Sequence, residues 1–173
     1  ESPEKAYSNA AKLMEAGAQM VKLEGGKWLA ETISFLSNRG IPTCAHLGLT
    51  PQSVYKLGGY KVQGTNTKNA NSIIESAKIL EASGVDIIVL ELIPSELGKK
   101  ITQHLKIPTI GIGAGIFVDG QVLVLYDMLG LSQGHKPKFV KSFFNKGETI
   151  EQAIKNYLNA VKNKEYPSSN HSY

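Results

Sequence analysis

The strongest constraint on this fold is a regular alternation between helical segments and short, nearly continuous apolar runs. The clearest run, Ile87-Ile88-Val89-Leu90, lies between a helical segment that ends near Gly84 and another that begins at Pro94. Strands that are apolar on both faces are typical of parallel sheets covered by helices. The strands are predicted at residues 20–24, 42–47, 85–92, 108–112 and 121–126. The helices are predicted at residues 3–16, 27–38, 70–82, 94–105 and 150–161.

Residue types that favour helix starts or loops mark several of the predicted element boundaries. Ser2 followed by Pro3 is typical of a helix start, and Thr149-Ile150-Glu151-Gln152 has the pattern of a capping box before an amphipathic stripe. The polar residues 58–69 are predicted to form a loop. The serine-rich tail from Pro167 is predicted to be poorly ordered unless it docks on the rest of the chain.

Five strands that alternate with helices are compatible with a (β/α)8 barrel or with a doubly wound open sheet. A similarity between two segments of the chain favours repetition of a single structural unit. Glu15-Ala16-Gly17 leads into the strand that ends at Glu24, and Glu81-Ala82-Ser83-Gly84 leads into the strand that ends at Glu91. Because five strands cannot close a barrel of eight, the barrel hypothesis requires sequence beyond these 173 residues.

Charge and cysteine content narrow the functional class. Lysine and arginine number 19 against 15 acidic residues, for a net charge of +4, and the basic residues are scattered. This distribution argues against a nucleic-acid-binding stripe but suits a small anionic ligand. No uncharged apolar run approaches the ~18 residues of a membrane helix. The single cysteine, Cys44, excludes an internal disulfide and a multi-cysteine zinc site, which favours a reducing, cytoplasmic location.

Glu24 and Glu91 are the first candidates for chemistry, because both end predicted strands. In parallel α/β folds, the carboxyl ends of strands line the active site, where a carboxylate can bind a metal or act as a general base. Lys22 lies two residues before Glu24, so both side chains point to the same side of the strand. The pair predicts a site for an anionic ligand with a metal. The alternative is a simple ion pair between solvated side chains.

Other candidates have a weaker pattern. His46, at the end of its strand, is interpreted as a metal ligand, a proton donor or, more simply, a packed histidine with a backbone partner. Cys44 is interpreted as a small core residue rather than a nucleophile. The glycines of Gly111-Ile112-Gly113-Ala114-Gly115 could cradle a phosphate or only permit close backbone approach. Residues 58–64 could form a lid or a plain connection. No metal-ligand spacing links the remaining histidines, His104, His135 and His171.

Several motifs, taken together, resemble ketopantoate hydroxymethyltransferase. They occur in the order found in that family and span essentially the whole chain. They are Val21-Lys22-Leu23-Glu24-Gly25-Gly26, His46-Leu47-Gly48-Leu49-Thr50-Pro51-Gln52, Gly58-Gly59-Tyr60-Lys61-Val62-Gln63-Gly64, Val89-Leu90-Glu91, Ile110-Gly111-Ile112-Gly113-Ala114-Gly115, Asp119-Gly120-Gln121, Tyr166-Pro167 and His171-Ser172-Tyr173.

The resemblance implies a (β/α)8 barrel with bound magnesium. It implies transfer of a hydroxymethyl group from methylenetetrahydrofolate to 3-methyl-2-oxobutanoate, which gives ketopantoate for pantothenate and coenzyme A synthesis. Glu91 would be the proton acceptor, Lys22 would contact the keto acid, and Glu24 would belong to the magnesium site. Small-molecule substrates, a homo-oligomer, in the family a decamer, and no nucleic-acid or membrane partner are expected.

The chain departs from that family in one respect. About three further βα units are expected before residue 1, and these carry the aspartates that ligate magnesium and a serine that binds the keto acid. The only aspartates here, Asp86, Asp119 and Asp127, do not lie in those motifs. Residues 1–173 are therefore predicted to be the carboxyl-terminal portion of a barrel, in a single domain, and inactive alone. Two alternatives stay open, a related magnesium lyase or mutase acting on a phosphorylated keto acid and a non-catalytic subunit.

Overall fold

The computed structural model describes residues 2–134 and 136–173, so Glu1 and His135 lie outside the described part of the chain. Its centre is a five-stranded sheet in which every neighbouring pair is parallel. The strands are β1 (Val21–Glu24), β2 (Thr43–Gly48), β3 (Ile87–Glu91), β4 (Thr109–Ile112) and β5 (Gly120–Gln121). The α-helices are α1 (Pro3–Glu15), α2 (Ala30–Ser37), α3 (Thr67–Ala82), α4 (Ser95–His104), α5 (Leu125–Met128) and α6 (Ile150–Lys162).

The order of the strands decides between the two predicted architectures. The strands lie in the sheet as β1-β2-β3-β4-β5, the same order as in the chain. Right-handed crossovers that always advance in one direction put every connecting helix on the same face. A doubly wound sheet instead reverses direction and carries helices on both faces. The sequential order is that of a (β/α) barrel sector, so the predicted α/β barrel class is confirmed and the open doubly wound sheet is not.

The helix-covered face of the sheet carries the main core. Alternate strand residues point to it, and Ala45, Leu47, Ile88 and Leu90 are fully or almost fully buried there. They form one cluster with Leu29, just before α2, and with apolar side chains from α2, α3 and α4, namely Ile33, Ala77, Leu80, Leu97 and Ile101. Burial of this kind contributes about 1.5–3 kcal/mol for each large side chain. This cluster therefore holds the strands in position, and with them the side chains on the opposite face of the sheet.

A second apolar cluster lies around the carboxyl ends of the strands. It joins Leu49, Leu92 and Ile112, each at or just after a strand end, to side chains from residues 123–143, α6 and the carboxyl-terminal tail. The tail is docked there: the Ser95 N–H donates to the Tyr173 carbonyl at 2.8 Å, and Tyr166 is buried. The tail was predicted to be poorly ordered unless it docked on the rest of the chain, and it does dock.

The ends of several helices follow from capping. Ser2 accepts from the Lys5 N–H, as predicted, and Thr149 accepts from the Gln152 N–H at 3.2 Å. The capping box at Thr149 is only half formed, because the Gln152 side chain donates to Asn156 instead of reaching back. Helix α3 begins three residues earlier than predicted, because the Asn66 side chain caps it by accepting from the Asn69 N–H.

The strand predicted at residues 121–126 is wrong over most of its length. Strand β5 stops at Gln121, and helix α5 begins at Leu125. The exposure of its side chains does alternate, since Leu123 is buried while Val122 and Val124 are exposed. Among the described residues, however, no further strand pairs with this segment, so the extended backbone does not continue the sheet.

Two of the aspartates have a structural role at the amino-terminal ends of strands. Asp86, just before β3, accepts from the Thr43 N–H at 2.8 Å, and Asp119, just before β5, accepts from the Thr109 N–H at 2.8 Å. Each carboxylate thus holds the first residue of the preceding strand. This pairing lies at the opposite end of the sheet from Glu24 and Glu91.

Candidate active site

The strand register gathers the predicted site residues on the face of the sheet that the helices leave uncovered. Glu24 is opposite His46 in the β1–β2 pair, and Glu91 is opposite Gly48 in the β2–β3 pair. Since side chains alternate along a strand, Lys22, Glu24, His46 and Glu91 all point to this face. Glu24 and Glu91 are the last residues of their strands, and Lys22 and His46 lie two residues before the ends of theirs.

The distances show a compact cluster centred on His46. Its Nε2 lies 3.0 Å from Glu91 Oε2, and its Nδ1 lies 3.8 Å from Glu24 Oε1. The His46 side chain is only 3% exposed, that of Glu24 is 9% exposed and that of Glu91 is 15% exposed. Two carboxylates therefore approach one imidazole in a site largely removed from water, where charge interactions are stronger than in solution.

Lys22 stands at the open edge of the cluster. Its Nζ lies 3.9 Å from Glu24 Oε1, and its side chain is 53% exposed. The predicted common orientation of Lys22 and Glu24 is confirmed, and the ammonium group remains accessible to a ligand. The other Glu24 oxygen, Oε2, accepts from the Gln52 backbone N–H at 3.0 Å, which fixes the carboxylate.

His46 is packed, as predicted, but the predicted backbone partner is not found among the described residues. Both ring nitrogens are buried, and among the described residues neither has a hydrogen-bond partner of acceptable geometry. The Nε2 contact with Glu91 is short, but it is not aligned as a hydrogen bond. Buried polar atoms without partners are rare, and at functional sites they mark places where a ligand or water completes the network. The strand register would have revealed this position, but the register cannot be deduced from this sequence.

Gly48 permits the close approach of β2 and the end of β3. Its φ is +89°, and a Cβ there would clash with the Glu91 carbonyl oxygen. The next residue, Leu49, donates its N–H to that same carbonyl at 2.8 Å. A glycine at this position therefore sets the backbone of Glu91.

A magnesium ion fits the chemistry of this cluster in part. Within residues 2–134 and 136–173, no three acidic, histidine or cysteine side chains are arranged to hold a metal by themselves. Glu24 Oε1 nevertheless faces the site, with Lys22 Nζ and His46 Nδ1 both beyond hydrogen-bond distance. Magnesium is usually held by one or two carboxylates together with water and substrate oxygens. Glu24 is a suitable single protein ligand, and further ligands would have to come from elsewhere.

The remaining candidates have structural explanations. Burial raises the pKa of the Cys44 thiol, which disfavours the reactive thiolate. At the turn of residues 111–115, a Cβ on Gly113 would meet Phe139, and one on Gly115 would meet Ser95. Close packing therefore accounts for these two glycines without a phosphate.

Two cavities open beside the cluster at the carboxyl ends of the strands. One, of about 440 Å³, is lined by His46 and by residues of the loops that follow β1 and β2. The other, of about 650 Å³, is lined by Glu91, Leu92 and Ile112 and by residues 136–139. Tyr60, in the segment predicted as a lid or connection, also lines the larger cavity.

No described helix has the length and apolar character needed to cross a bilayer.

The matching family model and two similar proteins agree in their descriptions. The family model described as ketopantoate hydroxymethyltransferase matches residues 1–169. A 3-methyl-2-oxobutanoate hydroxymethyltransferase from a Marinomonas species is 56% identical over 171 residues, which cover 99% of this chain and 62% of that protein. The protein of the same name from Nitrosomonas eutropha is 55% identical over 172 residues, 99% of this chain and 64% of that protein.

The chain thus spans less than two thirds of the length of these relatives. Among solved structures, a dihydrodipicolinate synthase from Agrobacterium tumefaciens aligns with 75% of this chain and 44% of its own. Its sequence is 14% identical and the TM-score is 0.47.

Proposed function

The chain belongs to the ketopantoate hydroxymethyltransferase family, and on that premise we propose that the full-length protein transfers a hydroxymethyl group to 3-methyl-2-oxobutanoate. Methylenetetrahydrofolate and one water supply the group, and 2-dehydropantoate and tetrahydrofolate are the products. The observation that carries this proposal is the 3.0 Å approach of Glu91 to buried His46, with Glu24 on the other side of the ring. The product serves pantothenate and coenzyme A synthesis.

Glu91 is the proposed proton acceptor. The carbon next to the keto group must lose its proton before it can attack the one-carbon unit, and a carboxylate held mostly out of water is a suitable base. The Glu91 side chain is 15% exposed, so it is reachable from the cavity yet largely desolvated. Its Oε2 points at His46, and the other carboxylate oxygen is the candidate to take the proton.

Lys22 is the proposed partner of the substrate carboxylate. Its ammonium group is half exposed on the same face as Glu91, and no hydrogen bond to Glu24 immobilises it at 3.9 Å. A cation at this point offsets the negative charge of the keto acid. It also favours the anionic form that follows proton removal.

Glu24 is the proposed magnesium ligand supplied by this chain, through Oε1. When bound, magnesium would polarise the keto oxygen and offset the charge that develops on it. The Gln52 N–H holds the other oxygen of Glu24, so the free oxygen keeps a fixed direction. We propose that the remaining protein ligands lie outside these 173 residues.

Proton exchange tests the proposal without the folate donor. In deuterated buffer with magnesium, the full-length protein is expected to exchange the C3 proton of 3-methyl-2-oxobutanoate, as followed by NMR. Glu91→Gln should abolish exchange while substrate binding, measured by calorimetry, is retained. Glu151→Gln, an exposed carboxylate on α6, is the matched control. Exchange that persists in Glu91→Gln would remove Glu91 from the role of base.

We also propose a cytoplasmic homo-oligomer in which residues 1–173 form the carboxyl-terminal portion of a single barrel domain. A lyase or mutase acting on a phosphorylated keto acid has no supporting observation, since Phe139 and Ser95 account for the turn that motivated it. A requirement for methylenetetrahydrofolate separates the transferase from that alternative. Absence of both exchange and transfer in the full-length protein would favour a non-catalytic subunit.

A further inference from the structure

The carboxyl-terminal tail forms part of the wall of the 650 Å³ cavity that contains Glu91. Tyr173 lines this cavity together with residues 136–139, which belong to no helix or strand and which we call the wall segment. The tail is firmly seated, because Tyr166, just before it, is 3% exposed and Pro167 is fully buried. The tail therefore contributes to the surroundings of the proposed base as well as to packing.

Three hydrogen bonds tie the wall segment to the tail. The Tyr166 hydroxyl donates to the Phe139 carbonyl at 2.6 Å, in a buried position. The Lys138 backbone N–H donates to the Tyr173 hydroxyl at 3.2 Å, and Lys138 Nζ donates to the Ser172 carbonyl. Irregular backbone has no repeating hydrogen-bond ladder of its own, so bonds to neighbouring segments fix its position. The tail is therefore a support for this wall of the cavity.

The tail also reaches the chain that leads away from Glu91. The Ser95 N–H, in the first turn of α4, donates to the Tyr173 carbonyl at 2.8 Å. Ser95 begins α4 only four residues after Glu91 ends β3. Tyr173 is thus bonded through its carbonyl to backbone close to the proposed base, and through its hydroxyl to the wall segment. One residue therefore bridges two parts of the site that are distant in sequence.

A closed cavity matters for the proposed reaction once the C3 proton has moved to Glu91. The anion formed next to the keto group then has two fates. It regains a proton, which exchanges with water, or it attacks the methylene carbon of the donor and forms the new C–C bond. Exclusion of water and fixed walls favour the attack, because they keep the reactants aligned. A wall that moves away admits water and favours return of the proton.

We propose that Tyr166 and Tyr173 are positioning residues, which hold the wall segment in place and so favour hydroxymethyl transfer over return of the proton. Tyr166 acts through the Phe139 carbonyl. Tyr173 acts through the backbone N–H groups of Lys138 and Ser95. This inference rests on the proposed function, because it concerns the partition of the anion formed in that reaction.

The ratio of two rates in the full-length protein tests the proposal. One is C3 proton exchange of 3-methyl-2-oxobutanoate in deuterated buffer, and the other is formation of 2-dehydropantoate from methylenetetrahydrofolate. Tyr173→Ala should lower the ratio of transfer to exchange about tenfold while exchange itself is retained. Tyr173→Phe, which keeps the ring but not the hydroxyl, should recover part of the ratio. Tyr55→Ala is the matched control, since Tyr55 is 97% exposed and does not line the cavity.

A second pair of variants separates support of the wall segment from general packing. Tyr166→Phe removes the hydroxyl bonded to the Phe139 carbonyl and should lower the ratio about threefold. Tyr157→Phe is the control and should leave the ratio unchanged. The Tyr157 ring packs on the Tyr166 ring, and its hydroxyl is also buried but has no hydrogen-bond partner among the described residues.

An unchanged ratio in both Tyr173→Ala and Tyr166→Phe would overturn the proposal. Equal losses of transfer and exchange in these variants would also overturn it, because they would indicate a structural role alone. Failure of the proposed function gives a different result, in which the unaltered protein itself neither exchanges the C3 proton nor transfers the one-carbon unit.

Discussion

His46 is the residue whose importance depends most on its surroundings. Sequence alone makes a histidine at the end of a strand an ordinary packed residue, and only the parallel register places it between Glu24 and Glu91. Glu24, Lys22 and Glu91 were predictable because strand ends and the two-residue repeat are readable in the sequence. The distances among them were not, because contacts between residues as far apart as 24 and 91 depend on how the strands pair.

We predict that His46 acts as a positioning residue for Glu91. His46→Leu should lower the rate of C3 proton exchange by about 10- to 100-fold, as removal of supporting residues around an active site often does. Its effect on thermal unfolding should be small, because it removes a buried polar ring that has no aligned hydrogen bond. His46→Gln, which keeps an N–H donor, should recover part of the rate. An unchanged rate in His46→Leu would rule out the positioning role.

His171 provides a residue-level prediction about pH. Burial, together with repulsion from Lys141 and Lys138, holds the pKa of His171 below its usual range. Between about pH 6.5 and the lower pKa of the folded state, the unfolded chain binds more protons than the folded one, so the free energy of unfolding falls as the pH is lowered through that region. The Ser168–His171 contact at 2.8 Å links this titration to the docked tail.

The measurement is a denaturant midpoint at pH 7.5 and at pH 5.5 for the full-length protein. His171→Asn should lose part of the difference between the two midpoints. The same difference in both proteins would contradict the assignment to His171.

At the scale of the element, sequence patterns predicted the centres of helices and strands better than their ends. The start of α3 depends on one hydrogen bond that the Asn66 side chain accepts, and the capping box is incomplete because the Gln152 side chain donates to Asn156. The side chains from Val122 to Val124 alternate in exposure, as in a strand, but pairing with another strand is not a property of the run itself. The local sequence thus indicates an extended backbone, whereas membership of the sheet depends on the strands that lie beside the run.

The contact between β2 and the end of β3 gives a prediction at this scale. Gly48→Ala should destabilise the protein by more than about 1 kcal/mol and reduce proton exchange, because the new Cβ would meet the Glu91 carbonyl. Gly40→Ala is the matched control: its φ is +77°, but nothing lies within 4 Å of its Cβ. Denaturant unfolding and proton-exchange rates are measured for both variants. The two share the strain of a positive φ, and only Gly48→Ala adds the contact with the Glu91 carbonyl. Equal effects in both variants would show that only the positive φ matters.

At the scale of the whole molecule, the sequential strand order was the decisive new fact. The pattern of helices and strands left a barrel and a doubly wound sheet open, because both are built from the same alternating units, and only the family resemblance implied the barrel. The helix-covered face was predictable from the apolar runs. The other face carries the site residues together with half-buried Cys44, Ile87, Val89 and Ile110, an unusual mixture for a surface. In a closed barrel, that face would be the interior.

The uncovered face leads to a prediction about residues 1–173 expressed alone. Besides the half-buried strand residues, Val122, Val124 and Leu125 are exposed beyond the short edge strand β5. Apolar surface of this extent, next to unpaired strand edges, promotes association. We therefore expect the isolated segment to be aggregated or loosely packed, with weak near-ultraviolet circular dichroism and broad sedimentation. The full-length protein should give a cooperative transition and a discrete homo-oligomer. A monodisperse, cooperatively unfolding segment would show that these residues need no further strands to cover that face.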